Sequence, residues 1–379
     1  MRTWQLLCAG VGALILMGCS TKEPHFSEPK SMKPMVTFWE DVYSKWDEDT
    51  VVFHDHTYMD LVYAAEKLPR SEKVAISQKR DALYNTLLSL EEKQHSKIPL
   101  TPDEAKLLKL IKSKGHGDKL AGIADRLRTQ RGLKNSFKAG LEESYYYLPH
   151  FEKLFEEAGF PKELAYLPHV ESSFQNHARS TVGAGGMWQF MPRTARSYMP
   201  MHHGSYDGRF DPFVAAKGAV NYLKDSYTVA ESWPLAITSY NHGLGGVLKA
   251  RDAHGDDIGE IVWKYKGDRF GFASRNFYAE FLAAKKIAKS PERYFADINP
   301  KQYPAIEGIR LTKPMTVQEL SSKIGIEDAE LIRLNPAWLA NIRNNRRAIP
   351  PQTDIWVPKG THIQLADRSF YEPGDFHDL

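Results

Sequence analysis

Apolar residues recur at helical spacing through most of the chain. Trp39, Val42 or Tyr43, and Trp46 fall three to four residues apart, as do Leu83, Leu87 and Leu90 in a segment predicted helical over 74–90. Thr101-Pro102-Asp103-Glu104 reads as a capping box with proline in the first turn, followed by the run 107–111. Further helices are predicted over 119–128, 137–148 and 151–157, the last stopped by Gly159. Asp211-Pro212 starts another, with Phe213, Ala216, Val220, Leu223 and Tyr227 as its core stripe, and one from Trp233 ends at Gly243. A final long helix carries Phe281, Leu282 and Ile287. The texture changes at Ile309, where a strand, a capped helix at Thr316, a second helix over 328–334 and a closing strand at 355–357 give a β-α-α-β order. The fold class is therefore mainly α, with a small βααβ unit at the C-terminal end.

Length and punctuation divide this pattern. A chain of 379 residues exceeds one typical core. Arg2 precedes an apolar run from Leu6 to Met17, too short to span a bilayer but suited to a signal-peptide core over 1–18. Residues 19–36 hold several prolines and mixed charges and read as a tether. Residues 37–115 read as a helical N-terminal region without a chemical motif, whose His54 and His56 are expected at the surface. Residues 116–291 form the chemically interesting unit and 305–362 the C-terminal one. The net charge of +3 is too small to point to nucleic acid, and no phosphate-binding glycine loop, CxxC pair or HExxH run is present. No cofactor and no metal is expected.

Phe160, Leu164, Leu167, Glu171 and Phe174 share one helical face, so a single carboxylic acid sits in an apolar stripe. Pro168 should kink that helix or start it afresh. An isolated buried carboxyl raises its pKa and stays protonated, which suits a general acid near neutral pH. The plain alternative is a glutamate whose stem packs at a helix edge while its head reaches water. Gly183, Gly185 and Gly186 follow, then Met187-Trp188-Gln189-Phe190-Met191-Pro192, in which Gln189 is a polar residue among apolar ones and needs a hydrogen-bond partner. Tyr145 to Tyr147 either edge a sugar site or pack.

The run E-S-S-F at 171–174, the spaced alanine, serine and glycines after it, W-Q-F-M-P at 188–192 and S-Y-N-H-G at 239–243 resemble the family 1 lytic transglycosylases, and most closely their membrane-bound type D branch. The resemblance implies a lysozyme-like SLT fold and cleavage of peptidoglycan between N-acetylmuramic acid and N-acetylglucosamine. It implies a catalytic acid/base role for Glu171, with Ser172, Gln189, Tyr240 and Asn241 on the substrate. A fourth family motif, E-T-R-x-Y-V, stands here as 273–278 with Phe277 at the tyrosine's position, so that hydroxyl is missing. Leu16-Met17-Gly18-Cys19 resembles a lipobox, which implies acylation of Cys19, and Ser20 resembles the signal for the outer membrane, placing the protein on its periplasmic face by a lipid anchor. The C-terminal unit resembles a degenerate LysM module: the L-x-x-L-N-P match at 331–336 is present, and Pro314-Met315 replaces the usual Gly-Asp.

Three functions fit this reading. The first is non-hydrolytic cleavage of peptidoglycan glycan strands to 1,6-anhydromuramic ends. The second is hydrolysis of the goose-lysozyme type, which needs a second carboxylate or a held water across the sugar. No acid lies between Ser172 and Ser205, so Asp207 and Asp211 are the nearest candidates. The third is a wall-binding lipoprotein with an idle site.

Overall fold

A computed structural model describes residues 25–361 and the backbone of 370–371. The signal peptide, Cys19 and the first part of the tether lie outside the described residues. Within them no helix is long and apolar enough to cross a membrane.

The chain opens with α1 (Lys33–Ser44), then β1 (Thr50–Asp55), β2 (Val62–Lys67), α2 (Lys73–Ser96), α3 (Pro102–Ser113) and β3 (Leu127–Arg131). The three strands form an antiparallel sheet in the order β2-β1-β3. The sequence predicts only helix here, and a helix over 119–128 where the structure has turns leading into β3. All six residues of β1 are buried, so the central strand shows no apolar-polar alternation to read, and β3 is held by partners more than seventy residues away. For the same reason His54 is buried rather than at the surface, while His56 is half-buried.

The middle of the chain is helical. It comprises α4 (Lys134–Glu157), α5 (Leu167–Glu171), α6 (Pro192–Tyr198), a two-stranded ribbon of β4 (Met201–His202) and β5 (Tyr206–Asp207), then α7 (Pro212–Ala230), α8 (Trp233–His242), α9 (Leu244–His254), α10 (Ile258–Lys264) and α11 (Phe272–Ala288). Helix α4 runs unbroken through Pro149, where the sequence predicts two helices. Phe137, Leu141, Phe151 and Phe155 bury one face of it along its whole length, and that packing outweighs the lost backbone hydrogen bond. The C-terminal unit contains β6 (Ile306–Arg310), α12 (Val317–Ile324), α13 (Asp328–Leu334), the short α14 (Ala340–Arg343), β7 (Asp354–Pro358) and β8 (Phe370–Tyr371), with sheet order β7-β6-β8. The β-α-α-β order read from the sequence is present, with α14 added before the closing strand.

One continuous core joins these parts. Val36, Trp39, Val42 and Tyr43 of α1 pack with α4 and α11 in the same apolar cluster as Leu167, Trp188 and Phe281. The Trp39 indole N–H donates to Asn276 Oδ1 at 2.9 Å, and Asn276 Nδ2 donates to the Phe272 carbonyl at 2.8 Å. At the other end, Trp356 of β7 lies 4.7 Å from the Phe213 ring and donates to Asp211 Oδ2 at 2.7 Å. The backbone N–H of Leu339 donates to the Ser205 carbonyl at 2.7 Å. The C-terminal unit also has its own core, including Val317, Leu320, Leu331, Trp338 and Ile355. A cavity of about 660 Å³ lies where the two units meet, lined by Gly140, Tyr147, Phe213, Tyr303 and Trp356 among others.

The α1–α11 bond is a test of this shared core. Trp39→Phe leaves the buried Asn276 oxygen without its donor, at an expected cost of about 1–3 kcal/mol. Urea unfolding of the two proteins should show a lower midpoint for the variant with one cooperative transition. An unchanged midpoint would mean that α1 contributes little to the core.

Candidate active site

The chain reaches Glu171 by two short helical pieces rather than one. A 3-10 turn over Lys162–Tyr166 hands over to α5, with Pro168 in its first turn, so the proline restarts the helix. Glu171 is the last residue of α5. Leu164, Leu167 and Phe174 are fully buried around it, but Phe174 is not on the helix. It is brought back to the same face by a turn in which Ser173 and Phe174 adopt φ of 51° and 56°. Left-handed backbone at two consecutive non-glycine residues is strained, and the strain is held by burial of the Phe174 ring and by a bond from its N–H to the Pro168 carbonyl at 3.1 Å.

Enclosure of the Glu171 carboxyl is the main cause that raises its pKa to about 8, and the charge of Glu280 adds to it. Glu280 lies on α11, the helix packed against α5, and burial raises its pKa to about 8 as well. Neither carboxyl has an ion-pair or hydrogen-bond partner among the described residues. Tyr43 of α1 is buried beside both, and its hydroxyl is pushed well above the usual range by burial and then by Glu280 and Glu171. Both residues are half-buried, and a charge on Glu280 makes ionisation of Glu171 harder still. His169, two residues before Glu171, is buried among Phe137, Tyr166 and Phe174 with neither ring nitrogen partnered. Burial holds it neutral, with a pKa of about 3.

The other residues picked out by sequence surround this acid in two ways. Tyr240 on α8 is next to Glu171: its hydroxyl pKa is raised by burial first and by the Glu171 charge second. That hydroxyl donates to the Trp188 carbonyl at 2.9 Å, which leaves its oxygen free to accept a further bond. Asn241 is exposed on the next position, and its Oδ1 accepts from Ser274 Oγ at 3.0 Å. Ser274 Oγ is also 3.1 Å from His242 Nδ1, so a neutral His242 carries its proton on that nitrogen.

Ser172 and Gln189 serve the loop instead. Ser172 Oγ donates to the Met187 carbonyl at 2.7 Å and ties the turn after Glu171 to the W-Q-F-M-P segment. Gln189, with φ of 49°, donates from Nε2 to the Gly186 carbonyl at 2.7 Å and to that of Ala178 at 3.3 Å. The expected partner of its amide donor is thus the loop itself. Gly186 has φ of 78°, and a Cβ there would lie 1.7 Å from the Arg209 carbonyl oxygen, so only glycine fits.

Residues 152–261 match the Transglycosylase SLT domain family. The chain carries an SLT domain. It is 26% identical to the membrane-bound lytic murein transglycosylase D of Escherichia coli K12 over 204 residues, which cover 52% of this chain and 42% of that protein. It is 28% identical to a putative tributyltin chloride resistance protein of an Alteromonas strain over 153 residues, 40% of this chain and 72% of that one. An inactive mutant of the lytic transglycosylase Slt from Pseudomonas aeruginosa overlaps 40% of the chain and 24% of its own length, at 21% identity and a TM-score of 0.30. The chain thus spans less than half the length of the Escherichia coli relative it matches.

Two residues of the acidic site, Tyr43 and Glu280, fall outside the matched SLT segment, and sequence reasoning missed both. Asn276 and Glu280 sit one turn apart on α11, and a glutamate in an otherwise buried helix face was the available signal. Asp207 and Asp211 are committed elsewhere. Asp207 is chelated by Arg209 at 2.9 and 2.7 Å, and Asp211 caps α7 while accepting from Trp356. Tyr278 donates to the Ser27 carbonyl at 2.9 Å, away from Glu171, so it does not replace the hydroxyl lost at Phe277.

The acid pair makes stability depend on pH. Both carboxyls have folded pKa values of about 8 against an ordinary 4.5, so the native state holds more protons than the unfolded chain between those limits. Stability therefore falls as pH rises through that window. Glu280→Gln should raise the melting temperature relative to the unaltered protein at pH 8, and the gain should vanish near pH 4.5. A difference independent of pH would show that Glu280 is not enclosed.

Proposed function

We propose that this protein is a lytic transglycosylase that cleaves the β-1,4 bond between N-acetylmuramic acid and N-acetylglucosamine in peptidoglycan without water, leaving 1,6-anhydromuramic ends. The observation that carries this reading is Glu171: a carboxylic acid kept protonated near neutral pH, with Tyr240 beside it and no ionised carboxylate opposing it. The protonated acid gives its proton to the glycosidic oxygen as the bond from the anomeric carbon breaks. With no carboxylate nucleophile in place, the substrate's own acetamido oxygen closes on that carbon, as in substrate-assisted glycosidases. Tyr240, with a free lone pair, and Asn241, with a free side-chain N–H, orient that group. The carboxylate of Glu171 then takes the proton of the muramic C6 hydroxyl, whose oxygen displaces the acetamido oxygen. Attack within one bound sugar has an effective concentration worth up to roughly 7–11 kcal/mol, enough to outcompete water in an enclosed site.

In this reading the protein is anchored through Cys19 at the periplasmic face of the outer membrane, and the C-terminal unit is a LysM-like module whose grip on glycan is reduced by the loss of its Gly-Asp turn. Ser172 and Gln189 support the site through the loop they fasten. The three units 37–115, 116–291 and 305–362 work as one body, because Trp39 and Trp356 are built into the core of the middle unit.

Glu280 favours one competing reading, hydrolysis, since it supplies a second carboxyl near Glu171. One experiment separates the two. Purified protein acting on sacculi in ¹⁸O-labelled water should release unlabelled 1,6-anhydro products. Labelled reducing-end muramic acid as the main product would establish a hydrolase. Glu171→Gln should lower the rate by about 10²-fold or more while sacculus binding persists, given that acid-base catalysis contributes about 10²–10⁴. Glu280→Gln should leave Glu171 easier to ionise, so the falling alkaline limb of the pH-rate profile moves to lower pH.

A further inference from the structure

Two arginines, Arg128 and Arg275, come together at the edge of the site, on the α11 turn that carries Ser274. Arg128 of β3 places its guanidinium 3.9 Å from the centre of the Phe272 ring, at the first turn of α11. Arg275 lies one turn further along α11. Its Nη2 donates to the Tyr265 carbonyl at 3.3 Å, and its Nε is buried without a partner. His56 faces both arginines, which after burial hold it toward its neutral form. His242 is held the same way, after burial, by Arg269. Ser274, between Phe272 and Arg275 in sequence, is the residue that hydrogen-bonds Asn241.

The neighbours of Arg128 show how unusual its position is. Arg126 is paired with the buried Asp55 at 2.7 Å, and Arg131 donates to the carbonyls of Glu48 and Leu68 at 2.7 and 2.9 Å. Arg128 and Arg275 have no carboxylate partner among the described residues. The acid near His56 is Asp55, which Arg126 already occupies. Like charges set side by side without a counter-ion repel, and a fold has no reason to collect them here for stability. A guanidinium presents a planar fork of donors that matches a carboxylate.

Peptidoglycan sugars carry no charge along the strand once the lactyl group is joined to peptide, so carboxylates on that polymer belong to its peptide stems. We propose that Arg128 and Arg275 form a carboxylate-binding site that engages the acidic peptide stem of the bound glycan strand; this rests on the peptidoglycan reading above. The site gives the N-terminal sheet a role. Strand β3 turns Leu127 toward the apolar cluster of Leu87, Leu90 and Ile111, and delivers Arg128 on the opposite side to α11.

The test uses the full mature chain carrying Glu171→Gln, so that bound strands stay intact. Two probes are compared by calorimetry at low salt: glycan chains of one length bearing peptide stems, and the same chains stripped of stems by an amidase, with the lactyl carboxylates so freed converted to neutral amides. Stem-bearing chains should bind roughly tenfold or more tightly, the scale of charge-assisted hydrogen bonds. Adding Arg128→Gln and Arg275→Gln together should bring the ratio of the two affinities close to one. A second measurement needs no arginine variant: stem-bearing chains whose carboxyls have been converted to neutral amides should bind like stripped chains. A ratio unchanged in the double variant, or tight binding of the amidated chains, would overturn the site. Binding of neither probe would overturn the peptidoglycan reading itself.

Discussion

Enclosing the carboxyl of Glu171 is the constraint around which the rest of the molecule is arranged. Glu171 is half-buried with no partner for its carboxyl among the described residues, and the loss of water around that group favours its protonated form. Helix α5 is only five residues long and ends on Glu171, so the acid stands at a helix terminus instead of along a shaft. The strained turn at Ser173 and Phe174 returns the chain to the same face and closes the apolar wall beneath it. Ser172 ties that turn to the Met187 carbonyl, and Tyr240 ties α8 to the Trp188 carbonyl, so the two walls of the site are fastened to one loop.

The same enclosure explains why the flanking parts are not appendages. Tyr43 and Glu280 complete the surroundings of Glu171, and they come from α1 and α11, on either side of the matched SLT segment. The bond between Trp39 and Asn276 fixes those two helices to each other across more than two hundred residues of sequence. At the far end, Trp356 seals the start of α7 and holds Asp211, whose burial raises its pKa to about 6 despite two backbone donors. The C-terminal unit thus covers apolar surface that the middle unit would otherwise expose.

The N-terminal sheet has a different relation to the site. Its central strand is buried on both faces, and its edge strand β3 reaches the first turn of α11. Function then depends on a side chain, Arg128, whose position is set by strand register rather than by any local motif: Arg128 pairs with His54 across the ladder. The clustering of His56, Arg128 and Arg275 is a product of that register and of the phase of α11.

By itself the sequence determined the mainly helical class and the βααβ order of the C-terminal unit, because these rest on local periodicity and caps. Thr101 and Thr316 both form the capping boxes their spacing requires, and Pro168 restarts a helix as its fixed φ dictates. Tyr240 was also legible, since its motif carries it to Glu171. What the sequence could not determine is set by contacts between distant segments. Strands β1 and β3 exist because they pair across more than seventy residues, and a strand buried on both faces has no period to betray it. Pro149 does not break α4, because the packing of Phe151 and Phe155 decides the matter. Glu280 and Tyr43 became neighbours of Glu171 only once α1, α5 and α11 had been brought together, and Gln189 turned inward to its own loop. Tertiary structure decides the surroundings of an acid, and those surroundings set its proton.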